Sequence, residues 1–105
     1  MRFLMTSTSE QAADETLYIE MGEFIEELTR SGVLLATGGM ELEGSLIRSS
    51  GGEITVIDGP FTEAKEAAGG FALIETRSKE EALEVSRRFF KILGDGEGRI
   101  QQIFG

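Results

Sequence analysis

The sequence predicts an α+β fold, an antiparallel sheet carrying two helices on one face. Three observations lead there. Two segments carry apolar residues at helical spacing, and short β-compatible runs lie before, between and after them. The length of 105 residues, with 40% apolar content, suffices for one modest core and not for two. A single domain over residues 1–105 is therefore expected.

The elements follow in order. Arg2 to Ser7 is a short apolar run ending in the polar cluster Thr8 to Asp14, which reads as a strand and a loop. From Thr16 onward, Leu17, Met21, Phe24, Ile25 and Leu28 fall on one helical stripe. That helix should stop near Ser31, because Gly32 can take the left-handed backbone that helix ends often require. Val33 to Ala36 read as a second strand, with Gly38-Gly39 interrupting it as a bulge or bend. Ser45 to Ser49 and the alternating run Glu53 to Ile57, joined by Gly51-Gly52, read as a β-hairpin.

Pro60 has no amide hydrogen, so Asp58-Gly59-Pro60-Phe61 cannot continue a central strand. Thr62 to Ala68 then read as a helical turn or ordered loop, and Phe71 to Thr76 as a further apolar strand. Ser78-Lys79-Glu80-Glu81 matches a capping box, in which serine and glutamate satisfy each other's free amides at a helix start. Ala82, Val85, Phe89 and Leu93 supply that helix's core stripe, Gly94 to Gly98 a flexible loop, and Arg99 to Phe104 a last strand. The order of strand, helix, two or three strands, helix and strand fits a ferredoxin-like split β-α-β unit with an extra hairpin. One sheet face then needs a cover, and a second copy of the chain is the economical one, so a homodimer is expected.

Composition excludes several function classes. A net charge of −9 repels phosphate backbones and anionic lipid heads, so neither nucleic acid nor membrane is an expected partner. Arg87, Arg88 and Lys91 form the densest basic cluster and read as a solvated helix face. With no cysteine and no histidine, disulfides, thiolate chemistry and soft-metal sites are excluded, and no cofactor or metal is expected. Met1 to Met5 is too short for a signal-peptide core and no run reaches the ~20 apolar residues of a membrane span, which predicts a cytoplasmic protein.

The most distinctive stretch is Asp58-Gly59-Pro60-Phe61-Thr62-Glu63-Ala64-Lys65-Glu66, followed by Gly69-Gly70-Phe71. It resembles the signature block of the DGPF, or YCII-related, family. Phe24 to Leu28 with Gly32-Val33-Leu34, Ser78 to Ala82, and Gly94 to Gly98 resemble that family's surrounding frame. The resemblance implies a dimeric α+β barrel and, for most members, no established activity. Some relatives look like enzymes with a histidine and aspartate pair, and one branch dechlorinates a hydroxylated aromatic. Neighbouring genes for sigma factors imply a regulatory setting and a sigma factor as a protein partner. Leu93 stands where the enzyme-like members carry a histidine, so an imidazole base is excluded for this chain.

Asp58 is the foremost functional candidate, either as a general base in a pocket or as a turn former accepting from amides two or three residues on. Lys65 and Glu66 read either as an anion-binding and acid–base pair or as a surface ion pair, and Glu63 as a solvated carboxylate. Phe61 and Phe71 either wall a pocket beside the motif or belong to the core. Gly69-Gly70 read as backbone devices, and Met5, Met21 and Met40 as core fillers. Two functions are expected to compete. One is a binding domain for a small metabolite lined by Asp58, Phe61 and Lys65. The other is a cofactor-free lyase or isomerase acting on a small anionic aromatic or lactone, with Asp58 as base and Lys65 as electrostatic stabiliser.

Overall fold

Two side-chain caps start the helices. Asp14 accepts a hydrogen bond from the Leu17 amide at 2.8 Å, and Ser78 from the Glu81 amide at 3.1 Å. In the computed structural model, which describes residues 1–9, 14–41, 43–60 and 69–105, eight elements follow. They are β1 (Arg2–Ser9), α1 (Glu15–Arg30), β2 (Leu34–Gly39), β3 (Glu43–Ser50), β4 (Glu53–Pro60), β5 (Gly70–Glu75), α2 (Lys79–Leu93) and β6 (Gly96–Gln102). The first helix ends where glycine was expected to end it, with Ser31 as the cap and Gly32 at φ 80°. Glu81 completes only half of the expected box: its carboxylate accepts from the Arg77 amide, one residue upstream of the cap.

Four antiparallel strands form the main sheet in the order β2-β5-β1-β6, which is the ferredoxin-like arrangement. The strands β3 and β4 form a separate two-stranded sheet. Four strands therefore lie between the helices, not two or three. Alternation along the strands sends Phe3, Met5, Leu34 and Ile74 to one face, where they pack with Phe24 and Leu28 of α1 and Ala82 and Val85 of α2. Ile74 has no exposed surface and sits opposite both Phe3 and Leu34. Leu4 and Leu73, paired with each other, take the opposite, helix-free face.

Strand boundaries differ from the sequence expectation at several places: β1 runs on to Ser9 and β3 begins at Glu43, and three other differences have a local reason. The irregularity in β2 falls between Leu34 and Ala36, while Gly38 and Gly39 stay in the ladder opposite Phe71 and Gly70. A Cβ on Gly38 would come within 2.9 Å of the Phe71 ring, so the glycine admits that ring instead of breaking the strand. The strand β4 runs on through Asp58 to Pro60, which faces Glu43. In a two-stranded ladder every strand is an edge, so the missing amide of proline is tolerated. Finally, β6 begins at Gly96, inside the expected loop, because a Cβ on Gly98 would lie 2.8 Å from the Phe90 ring and 3.1 Å from the Thr6 carbonyl. The expected turn or loop at Thr62 to Ala68 lies outside the described residues.

Two side-chain expectations also change. Met5 and Met21 belong to the core as expected, but Met40 is 40% exposed and ties the sheet through its amide, which donates to the Gly69 carbonyl at 3.0 Å. Arg88 is not simply solvated. Its guanidinium pairs with Glu27 of α1 at 2.7 Å and lies 4.9 Å from the Phe24 ring centroid, joining the two helices. Among the described residues no helix is long and apolar enough to cross a membrane.

Candidate functional site

Reading across the sheet on its helix-packed face shows why a cavity exists. One row holds Leu34, Ile74 and Phe3, which fill the space beneath the helices. Two residues along β5 and β1, and three along the irregular β2, the row is Thr37, Ala72, Met5 and Ile100. Two further, it is Gly39, Gly70, Ser7 and Gly98, small residues on all four strands. Side-chain bulk therefore falls along the sheet, and the helices bridge over a gap at one end.

That gap is a cleft of about 700 Å³ between the sheet and both helices, within the size range of small-molecule sites. Met21, Phe24 and Ile25 line it from α1, and Phe89 and Phe90 from α2, the last two meeting edge to face with ring centroids 5.2 Å apart. Tyr18, 70% exposed, stands at its rim. Two of its hydroxyls are already committed: Thr37 donates to the Phe71 carbonyl and Ser86 to the Ala82 carbonyl, both at 2.9 Å. Ser7 and Tyr18 are left to recognise a polar group. Among the described residues no carboxylate lines the cleft, although the chain carries 19 Asp and Glu. The same residues hold no cluster of three or more potential metal ligands.

The clearest electrostatic perturbation lies between the helices that roof the cleft. The hydrogen bonds from Arg88 hold the Glu27 carboxyl below its ordinary range, and the same contact raises the Arg88 guanidinium. Both groups are largely open to solvent, so the pair positions the helices more than it stabilises them.

The structure brings one of the expected site residues to the cleft and leaves another outside it. Phe71 borders the cleft with its backbone, while the ladder register turns its ring, set against Gly38, to the helix-free face of the sheet. Asp58 does not line it. It lies on the hairpin opposite Ser45, exposed, and accepts a hydrogen bond from the Ser45 hydroxyl at 2.6 Å. Phe61, Glu63, Lys65 and Glu66 lie outside the described residues. The chain re-enters the described structure at Gly69, whose amide donates to the Ser7 carbonyl at 2.7 Å on the cleft floor. Sequence reasoning did not select Ser7, Tyr18 or the paired Phe89 and Phe90. The signal that could have found the site was the recurrence of small residues near one end of successive strands, at Gly39, Gly70 and Gly98.

Comparison with known proteins places these observations. A curated uncharacterized protein of Rhizobium meliloti (strain 1021) is 51% identical over 41 residues, which is 39% of this chain. The match spans about a third, 33%, of that relative's length. A solved structure of 5-chloro-2-hydroxyhydroquinone dehydrochlorinase from Burkholderia phenoliruptrix AC1100, in complex with 2,5-dihydroxybenzoquinone, is 16% identical, with a TM-score of 0.47. That alignment covers 100% of this chain and 96% of the other. The model of the YCII-related domain matches residues 1–89, from the first strand through most of the second helix, and the chain belongs to that family.

Proposed function

We propose that this domain binds a small, largely apolar metabolite of aromatic size in the cleft between its helices and sheet. The observation that carries this reading is the row Gly39, Gly70, Ser7 and Gly98, which keeps about 700 Å³ open beneath a roof of aromatic side chains. The lack of a carboxylate among the described lining residues favours a neutral or anionic ligand over a cation. A cleft with no carboxylate base on its described walls suits recognition more than proton abstraction, which fits a metabolite-responsive module in a regulatory setting. The competing reading, a lyase or isomerase using Asp58, requires that carboxylate to reach a substrate. In the chain it is bonded to Ser45 on the hairpin.

An anionic aromatic dye, anilinonaphthalene sulfonate, tests the cleft directly. The folded protein is expected to enhance its fluorescence and to melt at higher temperature in its presence, since a ligand of the folded state stabilises it. Gly70→Val should abolish both effects while leaving the fold intact, because a Cβ there meets only ordinary contacts, 3.5 Å from the Gly38 carbonyl and 3.6 Å from the Ser7 hydroxyl. Dye binding that survives Gly70→Val unchanged would refute the cleft as the site.

A further inference from the structure

Arg88 and Glu27 do not border the cleft, yet they stand where the packed end of the domain gives way to the open end. The two helices run in opposite directions over the sheet. The helix α1 follows the small-residue end of β1 and finishes before Leu34, whereas α2 starts after Glu75 and finishes before Gly96. Leu28, Ala82 and Val85 therefore lie over the packed row, and Met21, Phe89 and Phe90 over the gap. Phe24 holds the changeover, one turn from Leu28 and one from Met21 along α1. It is 6% exposed, belongs to the core and also borders the cleft.

Arg88 lies one turn beyond Val85 on α2 and grips α1 at this level in two ways. Its terminal nitrogens meet the two Glu27 oxygens at 2.7 Å and 2.9 Å, the two-pronged contact that a planar guanidinium makes with a carboxylate and an ammonium cannot. The same guanidinium lies over the Phe24 ring, 4.9 Å from its centroid. Among the described residues no other ion pair joins the helices, since Glu26–Arg30 and Glu84–Arg87 each stay within one helix. Side chains on the sheet shrink past this level, so the grip of Arg88 takes over from packing in fixing how far apart the helices stand. We propose that Arg88 is a positioning residue for the cleft. By clamping Glu27 and covering Phe24 it sets the spacing of the helices over the gap, and thereby the affinity for a ligand it does not touch. This inference rests on the cleft being the binding site.

Titration with N-phenyl-1-naphthylamine, an uncharged aromatic dye, reads that affinity without direct attraction between the probe and the altered charges. Arg88→Lys keeps the charge but loses the fork and the plane over the ring, and should bind the dye about five- to tenfold more weakly. The emission of the bound dye should move to longer wavelength as water enters the loosened cleft. An exposed pair contributes little to stability, so the melting temperature should stay within about 3 °C of the unaltered chain. Added to Glu27→Gln, the same substitution should weaken binding by less than about twofold more, because the two residues act as a unit. Affinity and emission unchanged by Arg88→Lys, a weakening matched by a larger loss of thermal stability, or full additivity of the two substitutions would each overturn the proposal. If the unaltered chain leaves the dye unbound, the cleft reading falls on its own and amide hydrogen exchange decides the role of Arg88. Arg88→Lys should then speed exchange in α1 from Tyr18 to Phe24 and leave the β5 amides as they were, and equal exchange in both chains would overturn the role.

Discussion

The main sheet and the hairpin are made of similar material. Each has antiparallel strands carrying Ile and Leu, yet Ile74 in β5 has no exposed surface and Ile54 in β4 is 72% exposed. What separates them is the helices. The segments following β1 and β5 carry amphipathic stripes that close over one face of the sheet, whereas β3 and β4 are joined to each other by the two-residue turn Gly51-Gly52, at φ 58° and 84°, with no helix in between. Apolar alternation makes a strand, and only a connected layer makes it a core.

Substitutions can test that contrast, beginning with the largest expected effect. Ile74→Ala removes a fully buried side chain and should lower the stability measured by urea unfolding by about 2–5 kcal/mol. A loss comparable to that of an exposed hairpin residue would mean that the two regions do not differ as described. Gly98→Ala should cost about 1–3 kcal/mol, because its Cβ meets the Phe90 ring at 2.8 Å, and unfolding on the same denaturant axis checks it. Asp58→Asn, on the hairpin, should change stability by roughly 1 kcal/mol or less and leave dye binding within a factor of about three, since Asn can still accept from Ser45. If a turnover is found and this variant loses it a hundredfold while melting normally, the binding-domain reading gives way to the enzyme.

The smallest effect concerns the clamp between the helices. Arg88 holds the Glu27 carboxyl below its ordinary value of 4.5, so its contribution is fully present above that pH and disappears as the pH falls through the lowered value. The melting temperature of Glu27→Gln should therefore lie slightly under that of the unaltered chain at neutral pH, with the gap closing in acid. A gap that stays constant down to strongly acidic pH would show that the pair is not the cause.

Local chemistry was readable wherever it acts over a few residues. Gly32 marked a helix end and Ser78 a helix start, and the alternation of Glu53 to Ile57 marked a strand. The helical stripes and the element order were enough for the ferredoxin-like topology, and the motif was enough for the family. Features that depend on distant partners were not readable in the same way. Gly98 looks like a loop residue until Phe90 is known to press on it, and Asp58 looks like a turn residue until Ser45 is found across the ladder. The cleft is the extreme case, because it arises from four strands whose smallest residues fall in register, and register is not visible along one chain.

That graded sheet has a consequence for how the protein can change over time. Its wide end, at Leu34, Ile74 and Phe3, anchors the helices, while its narrow end at Gly39 and Gly70 anchors little. A Cβ added at either glycine meets only ordinary contacts, the Gly69 carbonyl at 3.8 Å from Gly39 and the Gly38 carbonyl at 3.5 Å from Gly70. The depth of the cleft can therefore be recut by one substitution at a time, without disturbing the packing that keeps the domain folded. A lineage carrying this architecture is free to explore ligands of different size while its scaffold stays under separate constraint.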